Sequence, residues 1–306
     1  MFRRVRWLGV PILLALATGC TTAPTGDGRP QIVASFYPFA YLAAAIVGSH
    51  ADVVTLVPPG AEPHDYELTP GQVGALATAR LVVYQAGVSA NMDEAITEAS
   101  PAGVVETGQL VTMLALSADG AEADADASEQ AYGKDPHTWL DPGNMIIFAN
   151  AIADAMVAAD PGGAPDYRAN AAALDAQLLA LDADYRSGLS GCARTVFLTT
   201  HAAFGYLAKA YGLTQLAIAG VTPEDEPSPR HLAELAEQAR ADDLTTVFFE
   251  TLVSPDYANT LAYDLGLHTD VLDPIEAVTK SSRGSDYLAI MQSNLVALRT
   301  ANGCPS

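Results

Sequence analysis

Four side chains in this sequence have types and positions that suit a metal site. His137 lies between two prolines in the segment K-D-P-H-T-W-L-D-P, residues 134–142, which restrict its backbone. His64, His201 and Asp273 each follow a predicted strand. Because ligands of parallel sheets lie beyond the carboxyl ends of the strands, all four side chains can face one crevice. Three imidazoles and one carboxylate suit Zn²⁺, whereas calcium and magnesium prefer oxygen and soft copper prefers sulfur.

Carboxylates near these positions are candidates to orient the imidazoles by hydrogen bonding. The candidates are Glu62, Asp65, Asp135, Asp141 and Glu250. For Asp141, the position before a proline at a helix start also favours a capping role. Glu62 could replace or supplement Asp273 as a ligand, and Glu250 could join the ligands directly. The three other histidines, His50, His231 and His268, are predicted to be surface residues.

The elements that position these residues alternate between short β-rich runs and helical patterns. This alternation predicts an α/β protein with two parallel-sheet lobes and a metal site in the cleft between them. Apolar residues at helical spacing predict one long linking helix at 165–190, between an N-terminal lobe at 31–164 and a C-terminal lobe at 191–306. A single long helix also predicts limited hinge motion between the lobes.

The composition excludes two function classes. The 306 residues are 50% hydrophobic, which excludes a disordered chain, and the formal net charge of −21 leaves no basic patch for nucleic acid. The most acidic stretch, residues 118–133, has low complexity and is predicted to be a loop.

The N-terminus has the pattern of an export signal. Residues 1–19 combine three arginines with a short apolar run, as in a signal peptide, and L-A-T-G-C then places Cys20 where a bacterial lipoprotein is acylated. Residues 20–30 are predicted to form a flexible tether. Outside the cytoplasm, the two remaining cysteines, Cys192 and Cys304, are expected to form a disulfide.

Four motifs carry a resemblance over essentially the whole mature chain. They are G-A-E-P-H-D-Y-E-L-T-P, D-P-H-T-W-L-D-P, T-H-A-A-F-G-Y and V-L-D-P. In this order they resemble the zinc/manganese solute-binding lipoproteins of bacterial ABC importers. The resemblance implies two α/β lobes joined by a rigid helix, with the metal between them at His64, His137, His201 and Asp273. A histidine rather than a glutamate at position 201 resembles the zinc-binding members.

The resemblance also implies a location and partners. We expect a monomeric protein outside the cytoplasm, at the cell surface or in the periplasm, anchored to a membrane through Cys20. The expected partners are a membrane permease and a metallochaperone. Zinc-type relatives often have a histidine-rich loop before the second ligand, whereas residues 118–133 here are acidic and contain no histidine.

Two alternatives remain at this stage. In the first, the same fold binds manganese or iron, or acts as an adhesin. The second is a zinc hydrolase, but no H-E-x-x-H, G-x-S-x-G or other catalytic signature is present. We therefore expect a binding protein and not an enzyme.

Overall fold

The first lobe contains a four-stranded parallel sheet. The computed structural model describes residues 29–116 and 133–305. The strand order is β2-β1-β3-β4, and every neighbouring pair is parallel. The strands are β1 (Gln31–Ala34), β2 (Asp52–Thr55), β3 (Leu81–Tyr84) and β4 (Val104–Glu106). The helices of this lobe are α1 (Tyr37–Val47), α2 (Pro70–Thr78) and α3 (Ala90–Ala99).

The second lobe repeats the same arrangement. Its parallel sheet has the order β6-β5-β7-β8, which corresponds strand for strand to the first lobe. The strands are β5 (Val196–Thr199), β6 (Thr214–Ala217), β7 (Thr246–Phe249) and β8 (His268–Val271). The helices are α6 (Gly205–Tyr211), α7 (Pro229–Ala241), α8 (Asp256–Leu265) and α9 (Tyr287–Asn302).

Helix α4 (Pro142–Ala159) packs against the long helix α5 (Ala164–Gly188), which connects the lobes. Asp141 caps α4 by accepting a hydrogen bond from the Gly143 amide, and Pro142 occupies the first turn. At 25 residues, α5 is about 37 Å long. The predicted fold class, two parallel-sheet lobes joined by one long helix, is confirmed.

One hydrophobic core extends through both lobes. Its buried residues include Ile32 of β1, Leu178 of α5, Phe248 of β7 and Tyr287 of α9. A smaller, separate cluster lies between the second sheet and helices α7 and α8. Because the larger core is continuous across the linking helix, the two lobes pack as one body around the cleft.

A disulfide closes the second lobe. Cys192 precedes β5 and Cys304 follows α9, and the two residues are bonded. The predicted pairing is thus confirmed. The leader 1–19, Cys20, most of the tether 20–30 and all of the acidic segment except Gly133 lie outside the described residues.

Candidate metal centre

Three histidines and one glutamate meet in the cleft. His64, His137, His201 and Glu276 each offer one ligand atom, and these four atoms lie within 4.8 Å of one another. His64 follows β2, His201 follows β5 and Glu276 follows β8, whereas His137 precedes a short 3₁₀ turn that leads into α4. Two ligands therefore come from each lobe, as the parallel-sheet topology predicts for a site between two sheets.

The spacing of these atoms fits a small four-coordinate ion. Oε1 of Glu276 lies 3.5 Å from Nε2 of His64, 3.5 Å from Nε2 of His137 and 3.7 Å from Nε2 of His201. The Nε2 atoms of His137 and His201 are 3.4 Å apart. A tetrahedral zinc site with bonds of 2.0–2.1 Å has edges of roughly 3.3–3.4 Å between its ligand atoms. These four separations, of the six in the set, lie close to those edges.

The same atoms are buried and lack other partners. Among the described residues, Nε2 of His64 and both carboxylate oxygens of Glu276 are buried without a hydrogen-bond partner. The Glu276 side chain is 0% exposed. A buried carboxylate is strongly unfavourable unless a cation compensates it, and native proteins rarely leave such groups unpaired. A divalent cation bound by the four side chains would give Nε2 of His64 and Oε1 of Glu276 a partner and would compensate the buried negative charge.

Two carboxylates fix the orientation of two imidazoles. Nδ1 of His137 lies 2.8 Å from Oδ1 of Asp135, and Nδ1 of His201 lies 2.6 Å from Oε1 of Glu250. Thr200 donates a further hydrogen bond to the same Glu250 oxygen. A carboxylate at Nδ1 holds the proton there and leaves the Nε2 lone pair free for a metal. The structure thus places Asp135 and Glu250 where orienting partners are needed.

The ionisable groups of the centre shift one another's pKa values. Burial disfavours the charged form of His137, but the carboxylates of Asp135 and Glu276 outweigh this effect and raise its pKa to about 9. Burial favours the neutral form of Glu276, but the attraction of His137 and His64 outweighs it and lowers the pKa of Glu276 below its usual range. Burial lowers the pKa of His64. In the metal-free centre, these shifts favour a protonated His137 beside an ionised Glu276 near pH 7.

Asp135 is held in place by the second lobe. Oδ1 of Asp135 also accepts a hydrogen bond from the amide of His137, at 2.9 Å, and Tyr206 donates one to its carbonyl oxygen, at 2.8 Å. A β-carbon at Gly205 would lie 2.6 Å from Oδ2 of Asp135. A side chain at the start of α6 would therefore displace this carboxylate. This contact explains why glycine is found at position 205, in the motif T-H-A-A-F-G-Y.

Asp273, the fourth ligand expected from the sequence, lies outside this cluster. Its Oδ1 accepts a hydrogen bond from the Ile275 amide at 2.8 Å, and its Oδ2 accepts one from Thr251 at 3.3 Å. Both oxygens are thus used to hold the loop. The carboxylate that reaches the histidines belongs to Glu276, three residues further along, which the sequence analysis missed.

The remaining candidate carboxylates have other surroundings. Oε1 of Glu62 accepts a hydrogen bond from the His64 amide at 3.2 Å. Burial and the nearby Glu276 carboxylate raise the pKa of Glu62 to about 10 in the metal-free centre. Glu62 is not among the four side chains whose ligand atoms converge. Asp65 is exposed, and Asp141 is the cap of α4.

Comparison with known proteins agrees with this geometry. Residues 32–301 match the family described as zinc-uptake complex component A, periplasmic, or ZnuA. The chain belongs to the ZnuA family. It is 33% identical over 308 residues to the zinc-binding lipoprotein AdcA of Streptococcus pneumoniae, with 97% of this chain and 60% of the relative covered. It is 32% identical over 322 residues to the high-affinity zinc uptake system protein ZnuA of Bacillus subtilis, with 98% of each covered.

A solved structure of a ZnuA family relative shares the fold. The crystal structure of Zn(II)-bound AdcA from Streptococcus pneumoniae superimposes with a TM-score of 0.75 at 32% identity, covering 91% of this chain and 59% of that one. The present chain thus spans about 60% of the length of the AdcA relatives. The region that the two share contains both lobes of the ZnuA family fold and the cleft.

Three further histidines lie away from the centre. His50 pairs with Asp166 at 2.8 Å, and Nε2 of His231 lies 2.9 Å from the carbonyl oxygen of Ala217. Both are partly buried rather than fully exposed, because each packs on a neighbouring element, whereas His268 is exposed. The prediction of surface positions is therefore right for His268 and too simple for the other two.

Proposed function

We propose that this chain captures Zn²⁺ outside the cytoplasm and delivers it to the membrane permease of an ABC importer. The observation that carries the proposal is the set of four ligand atoms, all within 4.8 Å of one another, of which four of the six separations are 3.4–3.7 Å and lie close to the edges of a tetrahedral zinc site. Family membership and the names of the relatives support the same cargo and direction of transport. The proposed ligands are His64, His137, His201 and Glu276.

The ligand set favours zinc over the other candidate metals. Imidazole nitrogens suit Zn²⁺, whereas Mn²⁺, Mg²⁺ and Ca²⁺ favour oxygen ligands in sites of six or more positions. Catalytic zinc sites usually keep three protein ligands and one open position for water. Four protein ligands here close the coordination sphere, which supports capture of the ion rather than hydrolysis.

The location and anchor follow from the N-terminal sequence. We propose acylation at Cys20, which would tether the metal-binding lobes to a membrane beside the permease. The relative from Streptococcus pneumoniae is named a lipoprotein, which supports this proposal. Labelling of the expressed chain with a radioactive fatty acid tests it, and a Cys20→Ala variant that is labelled equally would contradict it.

Metal analysis of the purified protein tests the ligand assignment. We expect one zinc per chain in the natural protein. We expect His64→Ala and His201→Ala each to lower the affinity for zinc by about 100-fold or more, because loss of a ligand exceeds the 10–100-fold effect of losing an orienting partner. His50→Ala is the matched control, since that histidine lies at an unrelated ion pair. Full zinc content and unchanged affinity in both site variants would overturn the proposal.

A further inference from the structure

The loop that presents Glu276 contains a strained residue. Ile275 has a φ of +61° and is completely buried. A β-branched residue rarely adopts this left-handed conformation, because its side chain crowds the backbone. Such outliers persist only where the surroundings enforce them, and they cluster at functional sites. Ile275 is directly followed by Glu276, so the strain is located beside the proposed ligand.

Hydrogen bonds hold this loop, the 273–276 turn, at each of its first three residues. Oδ1 of Asp273 accepts the bond from the Ile275 amide at 2.8 Å. The side chain of Asn294 accepts a bond from the Asp273 amide at 2.9 Å and donates one to the Asp273 carbonyl oxygen at 2.7 Å. The carbonyl oxygen of Pro274 accepts a bond from Nε1 of Trp139 at 2.7 Å. The backbone leading to Glu276 therefore has little freedom to move.

Trp139 connects this turn with the ligands of the other lobe. Its ring centroid lies 5.1 Å from that of His137, two residues earlier in the chain. The tryptophan is fully buried, and its own carbonyl oxygen accepts a hydrogen bond from Tyr287 of the second lobe at 2.7 Å. One rigid side chain thus contacts both the imidazole of His137 and the turn that carries Glu276.

We propose that Trp139 and the 273–276 turn are positioning residues that determine the preference for zinc over manganese. This proposal rests on the zinc-binding function proposed above. The turn places Oε1 of Glu276 at 3.5–3.7 Å from the three Nε2 atoms. That arrangement fits four-coordinate zinc. A released carboxylate could bind through both oxygens and admit additional ligands, as six-coordinate manganese requires.

Four variants of the full chain test the inference. Asp273→Ala removes the bond to the Ile275 amide, and Trp139→Phe removes the bond to Pro274 while it keeps an aromatic ring. Asp273→Asn retains an acceptor oxygen and serves as the conservative rescue. Tyr185→Phe is the matched control, because it removes a buried hydrogen bond of 2.7 Å to Met291, which is not part of the turn.

The affinities for Zn²⁺ and Mn²⁺ are measured by chelator competition, and the visible absorption of the Co²⁺-loaded protein reports coordination geometry. Tetrahedral Co²⁺ absorbs strongly and six-coordinate Co²⁺ weakly. We expect Asp273→Ala and Trp139→Phe to lower the ratio of zinc to manganese affinity by about 10–100-fold and to weaken the Co²⁺ absorption. We expect Asp273→Asn and Tyr185→Phe to retain the ratio and the absorption of the natural protein.

The possible failures have different meanings. A natural chain that does not bind zinc would overturn the proposed function itself. A natural chain that binds zinc, together with an unchanged metal ratio in Asp273→Ala and Trp139→Phe, would overturn only the positioning role. If Asp273→Asn lost as much zinc affinity as Asp273→Ala, Asp273 would be acting as a ligand. That result would also overturn the positioning role. Should Asp273→Ala fail to fold, as judged by circular dichroism, Trp139→Phe decides the outcome.

Discussion

An Asp-Pro pair precedes a proposed zinc ligand in each lobe. In the first lobe, Oδ1 of Asp135 accepts a hydrogen bond from the amide two residues later, that of His137, at 2.9 Å. In the second lobe, Oδ1 of Asp273 accepts one from the amide two residues later, that of Ile275, at 2.8 Å. The two lobes thus use the same aspartate-to-amide hydrogen bond beside a proposed ligand.

The turns differ in how the aspartate acts on the ligand. Asp135 contacts the imidazole of His137 directly, through Nδ1 at 2.8 Å. In the second turn the ligand lies one residue further, at Glu276, and Asp273 acts only through the backbone. The first turn therefore controls the electronic state of its ligand as well as its position, whereas the second controls position alone.

Replacement of the first aspartate should have the largest effect on this comparison. Asp135→Asn keeps an oxygen for the backbone amide but removes the negative charge beside Nδ1 of His137. We expect zinc affinity to fall by about 10–100-fold, whereas Asp273→Asn should change it by less than about threefold. Competition titrations with a zinc chelator measure both. Equal losses in the two variants would show that the turns do not differ as described.

A smaller effect is expected from crowding the first turn alone. In Gly205→Ala the new methyl group would lie 2.6 Å from Oδ2 of Asp135 and displace this carboxylate from His137. We expect zinc affinity to fall by about tenfold. Gly74→Ala is the matched control, because its β-carbon meets no atom within 4 Å and alanine favours the helix α2.

Calorimetric titration and thermal melting of both glycine variants provide the measurement. The control should keep its zinc affinity and melt at the same or a slightly higher temperature. If Gly205→Ala bound zinc as tightly as the natural chain, Asp135 could not depend on the space that this glycine provides.

The smallest predicted effect concerns protons. Since the pKa of His137 is raised to about 9 in the metal-free centre, it is protonated at pH 8, and zinc must displace that proton. Glu276, with a pKa below its usual range, has none to release at that pH. We expect His137 to release about one proton per zinc at pH 8 and almost none above about pH 10. Calorimetry in buffers of different ionisation enthalpy counts these protons. If more protons were released at higher pH, the assignment of the released proton to His137 would be contradicted.

The three histidines were predictable from the sequence for stated physical reasons. His64 and His201 follow strands, and His137 is fixed between prolines, so strand ends and backbone restriction were sufficient signals. Glu250 is predicted as an orienting residue because it ends a core strand, and in the structure its Oε1 lies 2.6 Å from Nδ1 of His201.

Glu276 was not predictable in the same way. Asp273 follows the predicted strand directly, which predicts it as the ligand, whereas the chain turns through the left-handed Ile275 before it presents the carboxylate of Glu276. No local pattern indicates that an isoleucine adopts positive φ, because its intrinsic preference is the opposite. The conformation depends on Asn294 and Trp139, which are distant in sequence. A glutamate soon after an Asp-Pro pair was the only available signal.

The continuous hydrophobic core has a consequence for unloading. It joins β1, the linking helix α5 and α9 without a gap, so we expect the outline of the molecule to be nearly the same with and without its ion. A receiving protein that touches such a body could not recognise cargo from a change of overall shape. It would have to respond to the change of charge that a captured dication makes in the cleft, so the arrival of the ion would be an electrostatic rather than a mechanical signal.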